Sequence, residues 1–212
     1  MKIFRLSLFE VIVYIISITT LSIVIYSFVV KPKEVTIIRD TIIVSEYECP
    51  DQTIDYLKAL KQCEANGRYA AKNGSYDGGY QIGSIAKIEV GYAILNSEEG
   101  RILFREDSIL QEEVMLRLLQ SQIRIMRPYI QRYANTNIGN YWITTSGILA
   151  MSHLLGPDNT VRFLISRGKY KVKDGNNTDI TRYLQFNNFN LPIDSITKPS
   201  YINQYLIKYL KQ

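Results

Sequence analysis

The residue types best able to do acid–base chemistry in this 212-residue chain gather in residues 63–83, CEANGRYAAKNGSYDGGYQIG. Glu64 is the centre of that run. Ile54, Leu57 and Leu60 recur at helical spacing and Glu64 follows Leu60 by four residues, so its side chain falls at the edge of an apolar helix face. Asn66-Gly67 then stops the helix and leaves Glu64 in its last turn. The negative end of the helix dipole and partial burial both favour the protonated carboxyl, the form a general acid needs in order to give a proton to a leaving oxygen. A solvated surface glutamate at a helix end meets the same spacing, so both readings stand on position alone. Asp77 is the nearest candidate for a second carboxylate, although an Asp before two glycines is also an ordinary turn former. His153, the only histidine, invites a role as base or ligand, yet a lone His on a partly apolar helix also serves as a hydrogen-bonded structural residue.

Four motifs follow one another in order. Glu64 is followed by Asn73-Gly74, then by Gly79-Tyr80-Gln81-Ile82-Gly83. A later block, Ser146-Gly147-Ile148-Leu149-Ala150-Met151-Ser152-His153-Leu154-Leu155-Gly156, precedes Arg162-Phe163-Leu164, Asp174-Gly175-Asn176-Asn177-Thr178 and Tyr183-Leu184. Over residues 52–190 this order resembles the lysozyme-like superfamily, in particular soluble lytic transglycosylases and the related muramidases of phage and secretion systems. Ala65 stands where many transglycosylases carry Ser, and no Ala-Tyr-Asn triplet is present, His153 lying in the corresponding helix. The resemblance implies a mainly helical, lysozyme-like α+β domain in which residues 69–83 form a small β-hairpin wall of a cleft. It also implies cleavage of β-1,4 glycosidic bonds in peptidoglycan with Glu64 as catalytic acid and base. Tyr76, Tyr80, Gln81 and His153 would hold the glycan, with Asp77 as the possible second carboxylate. No cofactor is implied.

The elements that must position these residues can be read in turn. Residues 84–90 form a short helix, and Ser108 with Gln111 makes a capping-box pattern at the head of a long helix ending near Tyr133, bent at Pro128. Thr144 or Thr145 caps the next helix, Gly156-Pro157 ends it, and another runs from Asp158 to near Gly168. A short helix is expected over residues 180–186, and a last one after Pro199 places Ile202, Tyr205, Leu206, Tyr209 and Leu210 on one face that docks on the domain. The polar turn at residues 174–178 lacks the ligand spacing of a calcium loop, so no metal is expected.

Residues 11–30 are uncharged and mostly apolar, long enough to cross a bilayer at ~1.5 Å per residue, with no small-residue cleavage pattern behind them. They predict a membrane anchor preceded by a cytoplasmic N-terminus at residues 1–10. Lys2 and Arg5 before the run nearly balance Lys31 and Lys33 after it, so orientation rests on the resemblance: a single-pass protein of the cytoplasmic (inner) membrane whose domain, residues 51–212, lies in the periplasm or extracytoplasmic space. Residues 31–50, rich in Val, Ile and Thr, read as an extended stalk or as a strand of the domain. Cys49 and Cys63, the only cysteines, flank the Glu64 helix. A disulfide between them would contribute ~3 kcal/mol in an oxidising compartment, and two buried thiols are the alternative.

The net charge of +5 excludes little. A basic face suits anionic wall polymer, acidic lipid or nucleic acid, and the sixteen tyrosines suit sugar rings as well as bases. Peptidoglycan is the expected partner and no nucleic acid is expected. Two other classes stay open: a lysozyme-fold module that binds cell wall without cutting it, and a basic nucleic-acid binder.

Overall fold

The structure, a computed structural model, describes residues 51–173, 177–186 and 189–212. The predicted membrane span, the stalk and Cys49 lie outside the described residues, as does the start of the polar turn at Asp174. No helix among the described residues is long and apolar enough to cross a membrane.

The described chain is a mainly helical α+β structure with two small antiparallel hairpins. Helix α1 (Thr53–Ala65) leads into the first hairpin, β1 (Lys72–Asn73) and β2 (Tyr76–Asp77), and then into α2 (Ser84–Glu89). A 3-10 turn (Ala93–Asn96) and α3 (Glu98–Glu106) precede the long α4 (Ser108–Tyr133). The second hairpin, β3 (Thr136–Ile138) and β4 (Tyr141–Ile143), feeds α5 (Thr145–Ile165). A 3-10 segment (Ile180–Phe186), the single turn α6 (Ile193–Ile196) and α7 (Tyr201–Tyr209) close the chain.

Helix α4 is the axle of the fold. Val114, Met115, Leu116, Leu118, Leu119, Ile123 and Met126 are all buried, and they span more than a single stripe, so neighbouring elements must wrap this helix on several sides. Helix α5 packs along it, the 3-10 segment 180–186 packs on α5, and α7 packs on α4 from another direction. Pro128 lies inside α4 without ending it. The N-cap is Asp107, whose carboxylate accepts the Leu110 N–H at 2.9 Å, rather than Ser108. Gly156 breaks α5, as its proline neighbour suggests: at φ 78° and ψ 162° it separates two helical stretches.

Candidate functional site

Glu64 occupies the last turn of α1, half-buried. Asn66 takes the left-handed conformation (φ 51°, ψ 38°) and Gly67 follows at φ 75°, so their N–H groups turn back onto the Gln62 and Lys61 carbonyls and the helix ends as the Asn-Gly pair requires. From the 3-10 segment 180–186, Tyr183 donates its hydroxyl to Oε1 of Glu64. Burial, the neighbouring carboxylate charge and this hydrogen bond all push the Tyr183 hydroxyl far above its ordinary range, so it stays protonated and serves as a fixed donor. Among the described residues Oε2 accepts no protein hydrogen bond. Cys63 is half-buried beside Gln185.

The first hairpin forms as the Asn73-Gly74 signal predicts, with Lys72 paired to Asp77 and Asn73 to Tyr76 around a two-residue loop in which Gly74 has φ 59°. Asp77, however, lines neither of the two clefts beside this hairpin. It is wholly buried and binds three cations: Lys87 at 2.8 Å, Arg101 at 2.9 Å and Arg105 at 2.9 Å. Burial pushes its carboxyl upward, but the hydrogen bonds of Arg101, Lys87 and Arg105 outweigh it and hold the group below the usual carboxylate range. Asp77 is therefore a structural ion hub tying the hairpin to α2 and α3, and the expectation of a second catalytic carboxylate there is corrected.

Tyr80 also departs from expectation. Its ring is 1% exposed, and its hydroxyl donates to Glu112 Oε1 at 2.8 Å, so it cannot stack on a sugar. Glu112, fully buried on α4, also accepts from Lys61 at 3.0 Å, Tyr69 at 2.5 Å and, on Oε2, Tyr205 of α7 at 2.8 Å. Its neighbour Gln111, equally buried, accepts the Gly79 N–H at 2.8 Å and donates to the carbonyls of Tyr69 and Phe104. Gly78 packs so closely on that amide that a Cβ would lie 2.3 Å from its Oε1, and its φ of 79° favours glycine as well. Gln111 and Glu112 thus grip residues 69–80 through backbone and side chains respectively. Neither is marked by local sequence; only a polar pair recurring on the apolar face of a core helix hints at them.

Gln81 emerges from this grip in the left-handed region, φ 50°, unusual for a residue with a side chain. It lines two clefts. One, of about 460 Å³, is also lined by Glu64, Arg68, Lys72 and Asn73. The other, of about 480 Å³, is lined by Tyr76, Ile85, Gln122, Ser152 and His153. His153 Nε2 lies 3.0 Å from the Tyr80 carbonyl, which can only accept, so the ring N–H sits there and Nδ1 is left as an acceptor in the neutral ring. Nδ1 of His153, Oε1 of Gln122 and Oγ of Ser152 have no partner among the described residues, and all three belong to residues lining this second cleft. Buried polar atoms without partners are uncommon, and three at one cleft suit a ligand with N–H or O–H donors.

The structure therefore brings Glu64, Gln81, Tyr76 and His153 to two clefts sharing one wall and removes Asp77 and Tyr80 from them. Among the described residues lining the clefts, the only carboxyls are Glu64 and Glu89. No group of His, Cys, Asp and Glu capable of holding a metal is found among the described residues. Glu64, held by Tyr183 through one oxygen, lines one cleft, and the polar side chains of Gln122, Ser152 and His153 line the next, a setting for an extended polar ligand. Compared with family models, curated proteins and solved structures, the chain matches none.

Proposed function

We propose that residues 51–212 are a lysozyme-like, peptidoglycan-cleaving glycosidase of the lytic transglycosylase or muramidase kind, held at the cytoplasmic membrane by residues 11–30. The observation carrying this reading is the Glu64 carboxyl, fixed through one oxygen by Tyr183 with the other left unengaged beside a cleft. Glu64 gives its proton to the bridging glycosidic oxygen as positive charge develops at the anomeric carbon. The resulting carboxylate then takes the proton of the same sugar's C6 hydroxyl, whose oxygen closes on the anomeric carbon to give a 1,6-anhydro end. Asp77, locked among three cations, cannot activate a water for the alternative hydrolytic route. Glu89 faces the second cleft and accepts from Ser121 at 2.5 Å, so it belongs to the binding half.

The test is release of soluble muropeptides from purified peptidoglycan. Wild type and Glu106→Gln, an exposed position at the end of α3, release anhydro-ended products, whereas Glu64→Gln, equal in size but unable to donate the proton, releases none. Equal release by wild type and Glu64→Gln rules out the acid. Binding without release by wild type would leave a wall-binding module in place of an enzyme.

A further inference from the structure

We propose that a basic strip on the far end of α5 and the chain after it, flanked by the second hairpin, is a docking surface for an anionic phospholipid bilayer. Residues 159–173 hold five cations and no carboxylate, although Asp158 and Asp174 stand on either side of them in sequence and Asp179 pairs with Lys173 across an antiparallel bridge. Beyond α5, exposure alternates: Lys169, Lys171 and Lys173 face solvent while Tyr170 and Val172 turn partly inward. Period-two spacing sets the three ammonium groups on one side of the chain, roughly 7 Å apart. None of the three forms a close ion pair among the described residues, while Lys171 and Lys173 lie near enough to Asp179 to help hold its carboxyl low.

Beside this strip a groove of about 380 Å³ is lined by Arg132 and Arg167, with Asn137 and Ile165 between them and no acidic residue in its wall. Ile165 is 59% exposed in the middle of these cations. Asn137 pairs across the hairpin with Trp142, so their side chains share a face, and Trp142 is 48% exposed. An exposed Ile lining a groove with Arg132 and Arg167, and an exposed Trp on the hairpin face of Asn137 that lines it too, suit a surface that meets headgroups with its charges and the acyl boundary with its apolar side chains. Tyr170, the aromatic within the strip, bonds Asn159 at 3.1 Å and lies beneath the Arg162 guanidinium, so Trp142 is the exposed ring that either an acyl boundary or a nucleic-acid base would meet, and vesicles and DNA are compared directly. On the proposed anchoring of the chain by its apolar run at residues 11–30, a bilayer is also the surface that holds it.

Trp142 is the only tryptophan, so the full chain carries its own reporter. The protein is mixed with vesicles of phosphatidylcholine alone, or with about three-tenths phosphatidylglycerol, each with brominated acyl chains. In the anionic vesicles Trp142 emission shifts to the blue and is quenched, and added salt reverses both changes. In neutral vesicles, whether or not residues 11–30 insert, emission stays at its position in buffer. The triple variant K169Q, K171Q, K173Q, shown folded by circular dichroism, weakens the anionic response by on the order of a hundredfold. Equal quenching in neutral and anionic vesicles overturns the proposal, as does a triple variant that docks as well as wild type. So does a Trp142 response to soluble polyphosphate or DNA without one to anionic vesicles, which would reassign the strip to free polyanions. None of these readings depends on Glu64.

Discussion

Tyr183 and Glu64, 119 residues apart in the chain, meet at a single hydrogen bond that fixes which carboxylate oxygen faces the cleft. Tyr183→Phe keeps the ring's packing and removes only the donor. Hydrogen bonds to charged groups contribute about 1.5–3 kcal/mol, so, on the proposed reading of Glu64 as catalytic acid, muropeptide release should slow by about ten- to a hundredfold, with substrate affinity little changed. Steady-state rates against soluble glycan fragments measure this.

Asp77→Asn tests the ion hub. Losing the charge leaves Lys87, fully buried, without its counter-ion, and breaking such a buried pair costs about 3–5 kcal/mol. Urea unfolding should show that loss, while on the proposed transglycosylase reading any product still released keeps its anhydro end. A normal stability with a switch in product chemistry would return Asp77 to the catalytic role.

The grip on residues 69–80 predicts a graded series. Glu112→Gln strips Lys61 of its buried partner and should cost about 3–5 kcal/mol, whereas Tyr205→Phe removes one donor to a charge and should cost about 1.5–3 kcal/mol. Hydrogen exchange at Gly79, Tyr80 and Gln81 should quicken in both, because that turn hangs from α4 and is braced by α7.

Stability should fall at both ends of the pH scale. Asp77 is held below its ordinary range, as is Asp179 through the Thr181 N–H and hydroxyl. Their contribution is complete above the unfolded carboxylate value near pH 4 and is lost as pH falls from there through the lower values of the folded state. Tyr56, Tyr69, Tyr80, Tyr183, Tyr201 and Tyr205 are raised, first of all by burial. Their contribution is complete below pH ~10, where unfolded tyrosines begin to ionise, and is lost as pH rises beyond it. Tyrosinate absorbance should therefore appear in two steps, the exposed rings titrating first and the buried ones only as the protein unfolds.

What was legible in the sequence is what short-range spacing controls. The α1 terminus at Asn66-Gly67, the hairpin at Asn73-Gly74, the break at Gly156 and the turn of helix at 180–186 all follow from adjacent residues. The second hairpin carried a signal that went unread, Gly139-Asn140 between Ile138 and Tyr141, the two-residue loop of a tight turn. Partners from distant elements were not legible. The cations on Asp77 come 10, 24 and 28 residues later, and Tyr80 resembles a groove residue until Glu112 reaches it from α4. Gln111 illustrates the trap: its spacing from Ser108 suits a helix cap, yet its amide is spent on the Gly79 loop while Asp107 does the capping.

The left-handed backbone of Gln81 has a consequence for evolution and engineering alike. Glycine would adopt that conformation without the roughly 1–2 kcal/mol that a Cβ costs there, but it would lose the hydrogen bond, about 1 kcal/mol, that the Gln81 amide donates to the Gly78 carbonyl at 2.8 Å. Backbone strain and side-chain bond therefore oppose each other at one residue. A library randomised at residue 81 should leave Gly and Gln close in heat resistance, and on the proposed glycosidase reading selection for glycan turnover is what separates them.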